Sequence, residues 1–115
     1  LSYLRDYVRL IVKKVLADGL PKGVCLNVNF PKVEKFAGLK VCRMGWGSWT
    51  REVEACKHPR GFDYYWMTGH YRNDESDATD NDQWALAHGY VTVTPSKIDV
   101  TDYEVLDKMK SWESL

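Results

Sequence analysis

Apolar residues recur at helical spacing at the start of the chain: Leu4, Val8, Ile11, Val12, Val15 and Leu16. Arg5, Asp6, Arg9, Lys13 and Lys14 fall on the other side. This spacing predicts an amphipathic helix with one buried stripe. Ser2 is placed to cap its start, Gly19 sits where a C-terminal glycine cap belongs, and Pro21 prevents continuation. The period then changes to two. In VCLNVNFP, Val24, Leu26, Val28 and Phe30 alternate with Cys25, Asn27 and Asn29, which predicts a strand stopped by Pro31. A helix followed closely by a strand is the αβ half of a βαβ unit and implies a parallel sheet. The strands that would precede this helix are expected to lie outside the chain.

GLKVCRMG, residues 38–45, reads as a second strand. SWTREVEAC, residues 48–56, alternates Trp49, Arg51, Val53 and Ala55 against Thr50, Glu52, Glu54 and Cys56, and reads as one continuous strand. KHPRG breaks it and FDYYWMTG resumes it, the pattern of a hairpin around a link carrying Pro and Gly. Its first arm is polar on both faces, so the hairpin is expected to project. RNDESDATDND, residues 72–82, has no apolar period and reads as an acidic loop. QWALAHG predicts a short helix ending at Gly89, and YVTVTP a strand halted by Pro95. Thr101 and Glu104 are spaced as a capping box for a last helix, with Val105, Leu106, Met109 and Trp112 as its buried stripe. The chain thus reads as one α/β segment, 1–115. Residues 1–37 give a helix and a sheet strand, 38–71 a strand and the hairpin, and 72–115 the acidic loop, a strand and the terminal helix.

Composition narrows the function classes. At 44% hydrophobic and 28% charged residues the chain is globular. Sixteen basic residues balance sixteen acidic ones, and this removes the basic footprint expected of a nucleic-acid module and any electrostatic case for a membrane surface. No apolar run approaches the roughly 18 to 20 residues of a membrane span, and no signal peptide is visible. Cys25, Cys42 and Cys56 form no CxxC pair and read as reduced thiols of a cytoplasmic protein. The start at Leu1, directly in a helical pattern, reads as the start of an excised piece.

Candidate chemistry is sparse. Asp77, Thr79 and Asn81 have the spacing that opens a calcium loop, but Asp82 stands where glycine is needed and His88 where the bidentate glutamate is needed. Cys56, His58, His70 and His88 match no zinc spacing. GWGSW, residues 45–49, lacks the lysine and following helix of a phosphate loop and reads as a bend. Trp46, Trp49, Phe62, Tyr64, Tyr65 and Trp66 form an aromatic cluster better suited to a core or subunit interface than to a ligand platform. No residue of the chain is assigned a catalytic or metal-binding role.

LPKGVCLNVNFP, KHPRGFDYYW, ATDNDQWALAHGYVTVTP and IDVTDYEVLDKMKSW occur in this order. Together they resemble the C-terminal part of the SurE family, the survival-protein 5′-nucleotidases, over nearly all of residues 3–112. Two local departures are Lys57-His58, where an acid is usual, and Ser96-Lys97, where a leucine usually follows the proline. The resemblance implies a Rossmann-type α/β fold with a projecting hairpin and a C-terminal helix. It implies a parent enzyme that hydrolyses nucleoside monophosphates with a divalent metal, manganese or magnesium, held by adjacent aspartates in the N-terminal portion. No position here matches those ligands, and Asp80-Asn81-Asp82 belongs to a different motif. The chain by itself is therefore expected to be inactive. The resemblance also implies self-assembly as a homodimer or homotetramer, through the hairpin and the terminal helix. Trp49, Val53, Tyr64, Trp66, Leu106, Met109 and Trp112 are the interface candidates. The competing reading is an independent binding or assembly module that uses the aromatic hairpin.

Overall fold

The structure is a computed structural model that describes residues 2–115, Ser2 by its backbone alone. The elements are α1 (Ser2–Asp18), β1 (Val24–Asn29), β2 (Gly38–Val41), β3 (Gly47–Thr50), β4 (Val53–Lys57), β5 (Asp63–Met67), β6 (His70–Asn73), α2 (Asp82–Ala87), β7 (Tyr90–Lys97) and α3 (Tyr103–Met109). A 3-10 turn, Lys110–Ser114, follows α3. A three-stranded sheet has the order β1-β7-β2, and β2 runs parallel to β7, with Leu39 beside Val91 and Val41 beside Val93. The α/β class and the parallel pairing read from the sequence both hold. The chain divides into two compact units, Leu1–Asn27 with Pro95–Leu115, and Val28–Thr94.

The buried core of the described residues lies in unit 28–94. Val91 and Val93 are buried on one face of β7, and Thr92 and Thr94 on the other. A strand covered on both faces is the expected state of the middle of a parallel sheet. Ala85 of α2 and Cys42, just past β2, complete the apolar set. Asn81 caps α2, its Oδ1 accepting the Trp84 N–H at 2.8 Å. Gly89, at φ 83°, takes the left-handed turn that leads from α2 into β7. The Lys40 ammonium lies 5.4 Å from the Trp84 ring and 4.9 Å from the Tyr90 ring, and His88 stacks on Trp84 at 3.9 Å.

In the other unit, α1 closes as expected. Gly19, at φ 73°, donates its N–H to the Val15 carbonyl at 2.8 Å. The cap predicted at Ser2 lies outside the described side chains. Ile98 N–H donates to the Gly23 carbonyl at 3.0 Å. Asp99 accepts the Thr101 N–H at 3.0 Å and the Tyr103 hydroxyl. Tyr103, by donating, and then the Thr101 N–H hold the Asp99 carboxyl below its ordinary value. No helix among the described residues is long and apolar enough to cross a membrane.

Five expectations are corrected. The run Ser48–Cys56 is two strands, because Arg51 adopts a left-handed φ of 53° between β3 and β4. Residues 72 and 73 belong to β6, so the acidic loop is shorter than its composition suggests. β7 continues through Pro95 to Lys97. Its β2 ladder ends at Val93, whose carbonyl accepts the Cys42 N–H at 3.0 Å. Backbone groups alternate sides along a strand, so the missing N–H of Pro95 falls on the side where that ladder has already ended. The cap of α3 is Asp102, whose Oδ1 accepts the Val105 N–H at 3.0 Å, so Thr101 does not form the predicted box. Finally, the two apolar stripes are not buried within this chain. Leu4, Val8, Val12 and Leu16 of α1 are exposed, as are Val105, Leu106, Met109 and Trp112.

Candidate assembly surface

β3 to β6 form one two-stranded ribbon. β3 pairs antiparallel with β6 and β4 with β5. The register runs unbroken from Gly47 opposite Asn73 to Lys57 opposite Asp63, across the bend at Arg51. Glu52 and Thr68 link the two sides of the ribbon at the bend, with the Thr68 N–H donating to the Glu52 carbonyl at 2.9 Å. At about 3.3 Å per residue such an arm reaches roughly 35 Å. Its tip is tightly turned. His58 N–H donates to the Phe62 carbonyl at 2.9 Å, Gly61 N–H to the His58 carbonyl at 2.8 Å, and the His58 ring stacks on Phe62 at 4.3 Å. Gly61 is at φ 90°, a position that disfavours any side chain.

No residue from Gly47 to Asn73 is buried. Directly opposed residues share a face. Val53 with Met67 and Ala55 with Tyr65 therefore line one face of the outer arm, and Glu54 with Trp66 and Cys56 with Tyr64 line the other. Met67 is 92% exposed, Tyr65 66%, Val53 62% and Trp66 60%. Closer to the body, Trp49 meets Tyr71 edge to face at 5.7 Å. The hairpin candidates read from the sequence thus split. Tyr64 and Trp66 share a face, Val53 is on the reverse, and Trp49 belongs to the inner ribbon. Leu106 and Met109 lie on α3 and Trp112 in the 3-10 turn, all exposed.

The root of the ribbon is polar, and sequence reading gave its residues no role. Arg43, four residues before β3, offers Nε and Nη2 to the two oxygens of Asp80, each at 2.9 Å. Its Nη1 and Nη2 reach the two oxygens of Glu75, each at 3.0 Å. Glu75 also accepts the Trp46 N–H at 2.8 Å, and Asp82 the Gly45 N–H at 2.8 Å. Asp74 N–H donates to the Trp46 carbonyl and Asp82 N–H to the Arg43 carbonyl, both at 3.0 Å. The hydrogen bonds of Arg43, and for Glu75 also the Trp46 N–H, hold both carboxyls below their ordinary values. A Cβ at Gly45 would lie 3.0 Å from Gln83 and 3.2 Å from Asp82, so a larger residue there would push those side chains aside by a few tenths of an ångström. The signal in the sequence was a lone arginine just before the GWG bend and an acidic run just after the returning strand.

This arrangement does not suit a metal. Among the described residues no group of three or more His, Cys, Asp or Glu side chains is placed to hold one. The acidic groups that do converge, Glu75 and Asp80, are occupied by a guanidinium.

No protein-family model matches the chain. Its likeness to individual proteins is extensive. It is 49% identical over 106 residues to the 5′-nucleotidase SurE of Phocaeicola vulgatus, a stretch that takes in 92% of this chain and 41% of that protein. It is 44% identical over 107 residues to the 5′-nucleotidase SurE of Bacteroides fragilis, covering 93% of this chain and 42% of the relative. The crystal structure of the SurE protein from Aquifex aeolicus superposes with a TM-score of 0.69 at 35% identity, over 96% of this chain and 45% of that one. The chain belongs to the SurE family. It spans less than half the length of the curated relatives it matches. The SurE resemblance carried by the four sequence segments is therefore borne out along nearly the whole chain, and so is the α/β fold.

Proposed function

We propose that residues 1–115 act as one C-terminal segment of a SurE-type 5′-nucleotidase, a cytoplasmic enzyme that hydrolyses nucleoside monophosphates to nucleoside and phosphate. The observation that carries this reading is the likeness, over nine-tenths of the chain, to proteins named 5′-nucleotidase SurE. In the parent a divalent cation, manganese or magnesium, supplies Lewis-acid and water-activating chemistry. The ligands for it are assigned to the length of the relatives that this chain does not span. The segment contributes scaffold and self-assembly, as a homodimer or homotetramer.

Two features support the assembly role over a separate ligand-binding module. Aromatic and apolar side chains stand uncovered on both faces of the outer ribbon, whereas a ligand platform uses one. α3 and its following turn also leave Leu106, Met109 and Trp112 in solvent. Uncovered apolar surface of this extent marks an interaction site. The interface is assigned to Trp49, Val53, Tyr64, Trp66, Leu106, Met109 and Trp112.

The test is phosphate release from a nucleoside monophosphate with manganese, run on the full-length protein and on the 115-residue chain. The full-length protein is expected to show metal-dependent release and the chain alone none above the blank. Metal-dependent turnover by the chain alone would overturn the division of labour. Its absence from the full-length protein would overturn the nucleotidase reading.

A further inference from the structure

The ribbon presents a mechanical problem. A two-stranded arm with no buried residue has no packing of its own to fix where it leaves the body. Isolated two-stranded ribbons are marginal in water. What joins this one to the buried strand β7 and to α2 is the root, residues 43–46 on the outgoing side and 74–82 on the return. The root is held by hydrogen bonds from Arg43, Gly45, Trp46, Asp74 and Asp82, with one guanidinium at the centre.

We infer that Arg43, Glu75 and Asp80 form a latch at the root, whose opening frees the ribbon 47–73 while β7 stays folded. Arg43 is half-exposed, with 40% of its side-chain surface in solvent, and Asp80 is more open still at 68%. Water can therefore compete for the latch without entering the core. Val91 and Thr92, by contrast, are fully buried. The two carboxylates share a single guanidinium fork, so losing Arg43 leaves Glu75 and Asp80 repelling each other beside Asp82. Local opening of few-contact regions, independent of the core, is a general property of folded chains.

The latch is also acid-sensitive. The groups facing Arg43 are Glu75 and Asp80; Asn81 also reaches Glu75, Asp82 accepts the Gly45 N–H, and Asp74, next to Glu75 in the chain, pairs with Arg72. Glu75 and Asp80 bind protons less readily in the folded chain than in the unfolded one. Their contribution is present above the unfolded carboxylate range, roughly pH 4, and is lost as pH falls through the lower folded values.

Amide hydrogen exchange on the full-length protein carrying this sequence tests the latch. The substitution Arg43→Lys keeps the charge but not the fork. It is expected to raise exchange at Gly45, Trp46 and Asp74 by about tenfold, and in the unaltered protein these amides are expected to exchange at least about tenfold faster than Val91, Thr92 and Val93 and with a weaker dependence on urea. Asp80→Asn, a milder change on a more exposed side chain, is expected to act in the same direction and serves if the first variant fails to fold. Lys110→Ala, which removes an exposed pair with Glu113, is expected to change neither set. Unchanged exchange at the root in both latch variants would overturn the inference. So would root and β7 amides that exchange at one common rate with one common urea dependence, since the root and β7 would then open only together.

Discussion

β7 and the ribbon are both β structure built from aromatic and β-branched residues, yet they meet opposite fates. Val91 to Thr94 are buried on both faces, and Val53 to Met67 on neither. Composition does not separate them. YVTVT and DYYWM carry the same β signal. The difference is what lies alongside. β7 has β1 and β2 as neighbours and Ala85 buried nearby, whereas each ribbon strand has only its hairpin partner. A strand pattern thus reports that a surface wants cover, not that the same chain supplies it. The chain spans under half of its relatives' length, and the assembly proposed above would draw that cover from outside it.

The comparison breaks most sharply at the core. Val91→Asp places an unpaired charge where no solvent reaches and is expected to cost about 4 kcal/mol or more, read as loss of the cooperative urea transition. Asn81→Ala removes the cap of α2 and the bond to Glu75 from a fully buried site, at about 1–2 kcal/mol in the same measurement. Acid titration sharpens the picture at the root. Because Arg43 holds Glu75 and Asp80 below their ordinary values, stability is expected to fall as pH drops below roughly 4, and the fall is expected to be shallower in Arg43→Met. Asp102→Ala is expected to cost about 1 kcal/mol through the lost α3 cap, and Thr101→Ala less than about 0.5, which separates the observed cap from the predicted box. At the small end, Tyr64→Asp with Trp66→Asp is expected to move monomer stability by less than about 0.5 kcal/mol per site while abolishing self-association.

Much of the fold was legible because local rules and tertiary structure agree there. The α1 period and its Gly19 cap, the alternation of β1, the KHPRG turn and the QWALAHG helix each obey a local rule that nothing overrides. The misreadings have separate physical causes. Arg51 adopts a backbone conformation that favours glycine, and nothing in TREV announces it. Pro95 stays within a strand because the ladder on its side has already ended, a fact of register rather than of composition. Asp102 outcompetes Thr101 as a cap while Asp99 and Thr101 make a turn of their own. The root was missed because its partners lie far apart in the chain, Glu75 32 and Asp80 37 residues after Arg43, and join only when the ribbon folds back. The interface candidates were legible as apolar positions, but their division between two ribbon faces required the pairing register.

Sedimentation velocity over a range of micromolar concentrations, on the wild-type chain and on Tyr64→Asp with Trp66→Asp, tests the central claim that the uncovered ribbon and helix faces exist to meet another copy. The account predicts concentration-dependent dimers or larger species for the wild type and a monomer for the double variant. A wild-type chain that sediments as a well-behaved monomer throughout that range would contradict it.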